Sequence, residues 1–108
     1  MAYTKEGIMA QLLVAFGQGT DALHVSQDAA LELRRWYYDA ITDEIVEKWD
    51  FWAADVLLRM RAIGSLAALK AVQTGSIKIT ARMVYEAALI VQKTSETPIC
   101  PDPPLPLV

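Results

Sequence analysis

Asp39, Asp43 and Glu47 recur at intervals of four, a spacing that places three carboxylates on one face of a helix. Such a set could hold a divalent cation, or divide acid and base roles between its members. A carboxylate di-iron bundle, however, takes a Glu-x-x-His motif from each of two helices together with further Glu ligands. The chain has one histidine, His24, and it lies outside any such motif. Glu44 and Lys48 in the same stretch form an ordinary i,i+4 pair that suits a solvated helix surface. The acids are therefore read as solvated, and no metal is expected.

The other reactive side chains stand alone. His24 sits in a turn ahead of a helix start, with no nucleophile or orienting acid placed beside it by spacing. Cys100 lies between Ile99 and Pro101, with no helix N-terminus or basic neighbour to activate the thiol. One Cys and one His fall short of a zinc set. Gly17-Gln18-Gly19 lacks the GKT or GKS sequence and the preceding strand of a phosphate loop. No catalytic residues and no cofactor are expected, and the chain is read as a non-enzymatic protein.

Aromatic residues carry more information. Trp36, Tyr37, Tyr38, Trp49, Phe51 and Trp52 fall within seventeen positions. Tyr37, Trp49 and Trp52 belong to an apolar stripe, whereas Trp36, Tyr38 and Phe51 fall off it. One helix cannot hide both sets behind one packing face, so either the helix is sandwiched or the second set meets a partner. Trp and Tyr are common interface anchors because they bury much area and keep a polar handle. Trp36, Tyr38 and Phe51 are the expected protein-interface residues, with Leu105 and Leu107 in the C-terminal tail. For nucleic acid the candidates are Arg59, Arg61, Lys70, Lys78 and Arg82. The segment from Gly75 to Glu86 has a helix-turn-helix flavour, with a glycine turn leading into a capped helix. Met83, Val84, Ala87 and Ala88 make that helix more apolar than a recognition helix.

The elements that must position these residues are helical. Ile8, Leu12, Leu13 and Phe16 define a first helix over 4–16 with Thr4 as cap, ended by Gly17 and Gly19. Ser26 caps the long central region. Its stripe runs Leu33, Tyr37, Ile41, Ile45, Trp49, Trp52, Val56, Met60, Ile63, Ala67 and Ala71, with every spacing three or four. Taken literally this is one helix of more than forty residues; the alternative is two helices broken near Thr42 or Asp50, both of which can cap, and the break is expected in the window from Trp49 to Phe51, giving helices over 27–48 and 51–73. Small residues around Gly64 predict a close helix crossing. Gly75 supplies a left-handed stop, Ile77-Lys78-Ile79 is too short to count as a strand, and Thr80 caps a last helix over 80–94. Short connections near 17–25 and 75–79 favour antiparallel neighbours.

With 108 residues the chain is one domain, read as 1–96 with an extended proline-rich tail over 97–108. The fold class is all-α: a three- or four-helix bundle with one long central helical region. Net charge is −3, against nucleic acid as first choice, yet it divides unevenly: residues 1–60 carry −5 and residues 61–108 carry +2. A single cysteine permits no internal disulfide and fits a reducing compartment. Glu6 precedes the uncharged run 7–20 and no small-x-small cleavage site follows it, so no secretory leader is expected. The run is also too short to span a bilayer. The expectation is a cytoplasmic structural or adaptor protein acting through helical protein–protein interfaces and self-associating, as a homodimer or larger. Another protein is a further expected partner, and no membrane is. The alternative is a small nucleic-acid-binding regulator using residues 59–85.

Overall fold

A computed structural model describes residues 3–20 and 23–93, the side chains of residues 92 and 93 excepted. The chain is all-α apart from one minor sheet. In order it forms α1 (Lys5–Gly19), β1 (His24–Val25), α2 (Gln27–Tyr38), α3 (Asp43–Glu47), α4 (Trp49–Gln73), β2 (Lys78–Ile79) and α5 (Ala81–Lys93). The expected tail over 97–108, with Leu105 and Leu107, lies outside the described residues.

Side-chain caps set the helix starts. Thr4 Oγ1 accepts from the backbone N–H of Gly7, Ser26 Oγ from Ala29, Thr42 Oγ1 from Ile45 and Thr80 Oγ1 from Met83. Each bond satisfies an N–H that the helix itself leaves without a partner. At the far end of α4, Gly75 takes φ +73, and the N–H groups of Gly75 and Ser76 return to the carbonyls of Val72 and Ala71. That closure needs a residue at ease in the left-handed region.

Three expected boundaries are corrected. The helix expected over 27–48 is two pieces, α2 and α3, because the chain turns through Asp39–Thr42. The next interruption falls on Lys48 (φ −105, ψ 23), just ahead of the expected window at Trp49. Between α2 and α3, Ala40 N–H bonds to Tyr37 O and Ile41 N–H to Tyr38 O. These i+3 turns advance the chain at nearly helical pitch, so Tyr37, Ile41 and Ile45 stay on the core side and the stripe runs on across the break. Ten of its eleven members are buried and Trp52 is partly so. The third correction concerns α1, which continues past Phe16 to Gly19. Gly75 is the one described glycine with positive φ, so Gly17 and Gly19 do not break the helix.

Gly19 has another role. A Cβ there would lie 2.1 Å from the carbonyl oxygen of Arg61, and one at Gly64 would lie 2.2 Å from that of Phe16. Two helix backbones touch at this point, as the small residues around Gly64 predict. Ser65 Oγ donates to the Gly19 carbonyl at 3.2 Å, and Thr20, the one buried polar residue among those described, caps α1 through the Gly17 carbonyl. Contacts advance in the same sense along both helices, from Gln11–Trp49 through Gln18–Arg61 to Gly19–Ser65. This α1–α4 packing, between helices that are not neighbours in sequence, is the most extensive among the described elements.

The two loops that follow these helices also pair. β1 and β2 run parallel, His24 opposite Lys78 and Val25 opposite Ile79. The two residues of β2 were too few to read as a strand in the sequence; they become one by pairing with β1. Ser26 N–H continues the ladder to Ile79 O. The same interval separates Thr20 from Thr74 at the helix ends, His24 from Lys78 in the strands and Ser26 from Thr80 at the next caps. The chain thus repeats one helix–loop–strand–helix unit. α2 and α5 leave the paired strands side by side, and Trp36 meets Tyr85 edge-on between them at 6.0 Å.

Candidate interaction surface

α4 presents two faces. Its inner face buries Trp49, Val56, Met60, Ile63, Gly64, Ala67, Ala68 and Ala71. Its outer face carries Phe51 (77% exposed), Leu58 (59%), Leu69 (51%) and Val72 (63%). At 3.6 residues per turn these four fall within roughly 60° of arc, and Phe51 to Val72 spans about 31 Å. Ala54 and Ser65 are exposed and Ala62 half-buried between them. Polar groups rim the stripe. On one side Asp50 accepts a hydrogen bond from the Tyr3 phenol, and Arg61 donates to Gln18 Oε1. On the other Asp55 pairs with Arg59 at 3.9 Å. A contiguous apolar face with a polar rim is what marks an interaction surface, where single exposed apolar residues do not.

At the N-terminal end of the stripe lies a hollow of about 490 Å³ lined by Glu44, Lys48, Asp50, Phe51 and Trp52. Phe51 stands edge-on to Trp52, centroids 4.9 Å apart. Charge is polarised along the helix. Residues 43–55 hold Asp43, Glu44, Glu47, Asp50 and Asp55 against Lys48 alone, whereas residues 56–85 hold Arg59, Arg61, Lys70, Lys78 and Arg82 and no acid.

The off-stripe aromatics divide three ways. Trp36 is 9% exposed, covered on the α5 side by Tyr85, and its buried Nε1 finds no hydrogen-bond partner among the described residues. Tyr38 is half-buried against α1: its phenol donates to Glu6, and the Lys5 ammonium and Arg34 guanidinium lie 4.6 and 5.0 Å from its ring centre. Hydrogen bonds from Tyr38 and Arg34 hold the Glu6 carboxyl below its ordinary range. Phe51 alone of the three projects into solvent. Leu58, Leu69 and Val72 were not singled out from sequence. Their spacing from Phe51, by seven, eighteen and twenty-one positions, was the available signal, masked because every turn of α4 also carries core residues.

The basic candidates do not form one strip. Arg59 and Lys70 lie on the α5-facing side of α4, while Arg61 lies on the side toward α1, roughly 160° away around the helix. Lys70 and Arg82 converge on Glu86, at 2.9 and 3.3 Å, and Lys78 is exposed on β2. The acids are also separated. Asp39 lies outside the helix that carries Asp43 and Glu47, and all three are exposed. Among the described residues no group of three or more His, Cys, Asp or Glu is placed to hold a metal ion. His24 is exposed on β1, and no described helix is long and apolar enough to cross a membrane.

Glu86 ties α4 to α5, and the Lys70 hydrogen bond holds its carboxyl below the ordinary value, with Lys70 and Arg82 charges assisting. A carboxyl lowered on folding stabilises above its unfolded pKa, and that contribution is lost as pH falls through the lowered folded value. Glu86 is 39% exposed, so the effect is discounted for solvent screening to a few tenths of a kcal/mol. Glu86→Gln is expected to flatten the acid side of the stability–pH curve below about pH 4.5 while leaving neutral-pH stability within about 1 kcal/mol. Urea midpoints taken from pH 7 to pH 3 would show it; an unchanged acid slope would remove Glu86 from the account. No protein-family model, curated protein or solved structure matches this chain.

Proposed function

We propose that the protein is a non-enzymatic structural or adaptor component that works through helical protein–protein contacts and self-associates in doing so. The observation that carries this reading is the outward face of α4, where Phe51, Leu58, Leu69 and Val72 are each more than half exposed. Leaving these side chains in water forgoes up to roughly 1.5–3 kcal/mol apiece of burial free energy. A partner surface recovers it. The rest of the fold supports the same reading. Its reactive side chains are scattered, and its inner core is completed by its own helices, so the outward face is not needed for folding.

The measurement is absolute mass by light scattering on a sizing column across a dilution series. The expected result is a mass about twice the 12.0 kDa chain, falling towards the monomer on dilution. A 12 kDa monomer at every concentration would remove self-association, and would turn the search to a different protein as the occupant of the face.

A second reading, nucleic-acid binding through residues 59–85, draws on the acid-free run from Val56 to Tyr85. It is the weaker one. Lys70 and Arg82 are committed to Glu86, and Arg61 lies on the far side of α4 from Arg59 and Lys70. A duplex-DNA titration at two salt concentrations separates the readings, because phosphate contacts weaken steeply as salt rises.

A further inference from the structure

We propose that two copies of the chain pair through the outward faces of their α4 helices, antiparallel, about a twofold axis between Arg61 and Ala62. This rests on the self-association reading above and adds the surface, the orientation and the register.

The stripe is self-complementary when reversed. Turned end for end about that axis, Phe51 of one copy faces Val72 of the other, Ala54 faces Leu69, and Leu58 faces Ser65. The large side chains Leu58 and Leu69 thus each meet a small one, the interdigitation that close helix packing requires. Pairing in the same direction would set Leu58 on Leu58, Leu69 on Leu69 and Ala54 on Ala54, crowding some levels and leaving gaps at others.

Charge selects the same orientation. The segment that enters α4 is acidic, with Asp50 and Asp55 near that end, and the helix beyond Asp55 holds Arg59, Arg61 and Lys70 and no acid, although Lys70 is engaged by Glu86. Antiparallel pairing lays the acidic end of each copy along the basic end of its partner. Parallel pairing would stack acid on acid and base on base, a juxtaposition that disfavours it. One like-charge contact remains, since two Arg61 side chains approach near the axis. Each is drawn back toward α1 by Gln18 Oε1 at 3.3 Å.

A face about 31 Å long and one helix wide falls at the small end of specific interfaces. A dissociation constant in the micromolar range is expected.

The experiment uses the full-length chain with nitroxide labels at Arg61→Cys or Gln73→Cys, each in a Cys100→Ser background, and reads intermolecular distances by pulsed dipolar spectroscopy. Arg61 and Gln73 are both exposed. The antiparallel pair predicts a separation under about 20 Å at position 61 and about 35 Å at position 73, from the helical rise. Similar short distances at both sites would mean parallel pairing and overturn the proposal. A dimer by mass with no short distance at position 61 would place the interface elsewhere, overturning the proposal while self-association stands. A monomer at all concentrations would overturn both.

Leu69→Glu supplies the second arm. The side chain is half exposed, so the fold is expected to keep its far-UV circular dichroism and its melting temperature at low concentration. The dimer dissociation constant is expected to rise at least tenfold. An unchanged constant would overturn the α4 pairing. A wild-type monomer whose melting temperature falls sharply with Leu69→Glu would mean that the chain's own residues cover the face, which also overturns it.

Discussion

Gly64→Leu is expected to be the most damaging single substitution in the described chain, lowering stability by about 3 kcal/mol or more. The obstruction is backbone on both sides. A Cβ at position 64 would lie 2.2 Å from the Phe16 carbonyl oxygen and 3.2 Å from Gly19 Cα. Neither can rotate away as a side chain would, so α1 and α4 must separate. Separation opens the largest helix contact in the fold, exposes Phe16 and Ile63, and breaks the Ser65–Gly19 hydrogen bond. Gly64→Ala should also destabilise, by less, because alanine returns about 1 kcal/mol of helix propensity. Gly17 supplies the contrast. It lies in α1 with nothing within 4 Å of its would-be Cβ, so Gly17→Ala is expected to stabilise by roughly 0.5–1 kcal/mol. Urea unfolding followed by circular dichroism reads all three. Two alanine substitutions of equal sign would show that the backbone contact is not what selects glycine at position 64.

Trp49→Ala is expected to cost about 3–5 kcal/mol, the range for deleting a large buried aromatic side chain. Trp49 is 1% exposed, the largest of the fully buried side chains, and its Nε1 donates to Gln11 Oε1 at 3.3 Å. It sits one residue after the Lys48 interruption, where it closes the core between α1 and the start of α4. The substitution therefore leaves a cavity and a half-buried amide without its donor. Total stability for a domain of this size is about 5–15 kcal/mol, so the substitution would remove a large fraction of it. Phe51→Ala, two residues on, is expected to change monomer stability by no more than about 0.5 kcal/mol, since its ring already stands in water. If Phe51→Ala were as damaging as Trp49→Ala, the division of α4 into an inner and an outer face would be wrong. Both variants should be measured at low concentration, because association adds apparent stability.

The inner face of α4 and the outer one differ in how readable they were. The stripe from Leu33 to Ala71 located the core because burial acts on each residue separately. A side chain that must leave water is apolar wherever the backbone carries it, and a spacing of three or four follows from the helical pitch. For that same reason the stripe could not reveal the turn at Asp39–Thr42, whose i+3 hydrogen bonds hold the pitch closely enough to leave the pattern unbroken. The caps Thr4, Ser26, Thr42 and Thr80, and the left-handed Gly75, were legible because a cap is a bond within four residues of chain.

Among the interface residues named from sequence, Trp36 and Phe51 looked alike: large, aromatic and off the stripe. Their surroundings separate them. Trp36 is covered by Tyr85, nearly fifty positions away, and Phe51 by nothing comparable. Likewise Arg59, Arg61, Lys70 and Arg82 lie close in sequence, but α1 draws Arg61 to one side of α4 while Glu86 holds Lys70 and Arg82 on the other. The sequence by itself determined the helical class, the side-chain caps and the buried stripe, because those depend on propensity, local hydrogen bonds and transfer from water. The tertiary structure decided which glycines are contact points, that two loops of two residues each pair as strands, and which apolar residues of α4 remain outside. Each of these depends on what a segment more than forty residues away brings alongside, which helical spacing within one element does not encode.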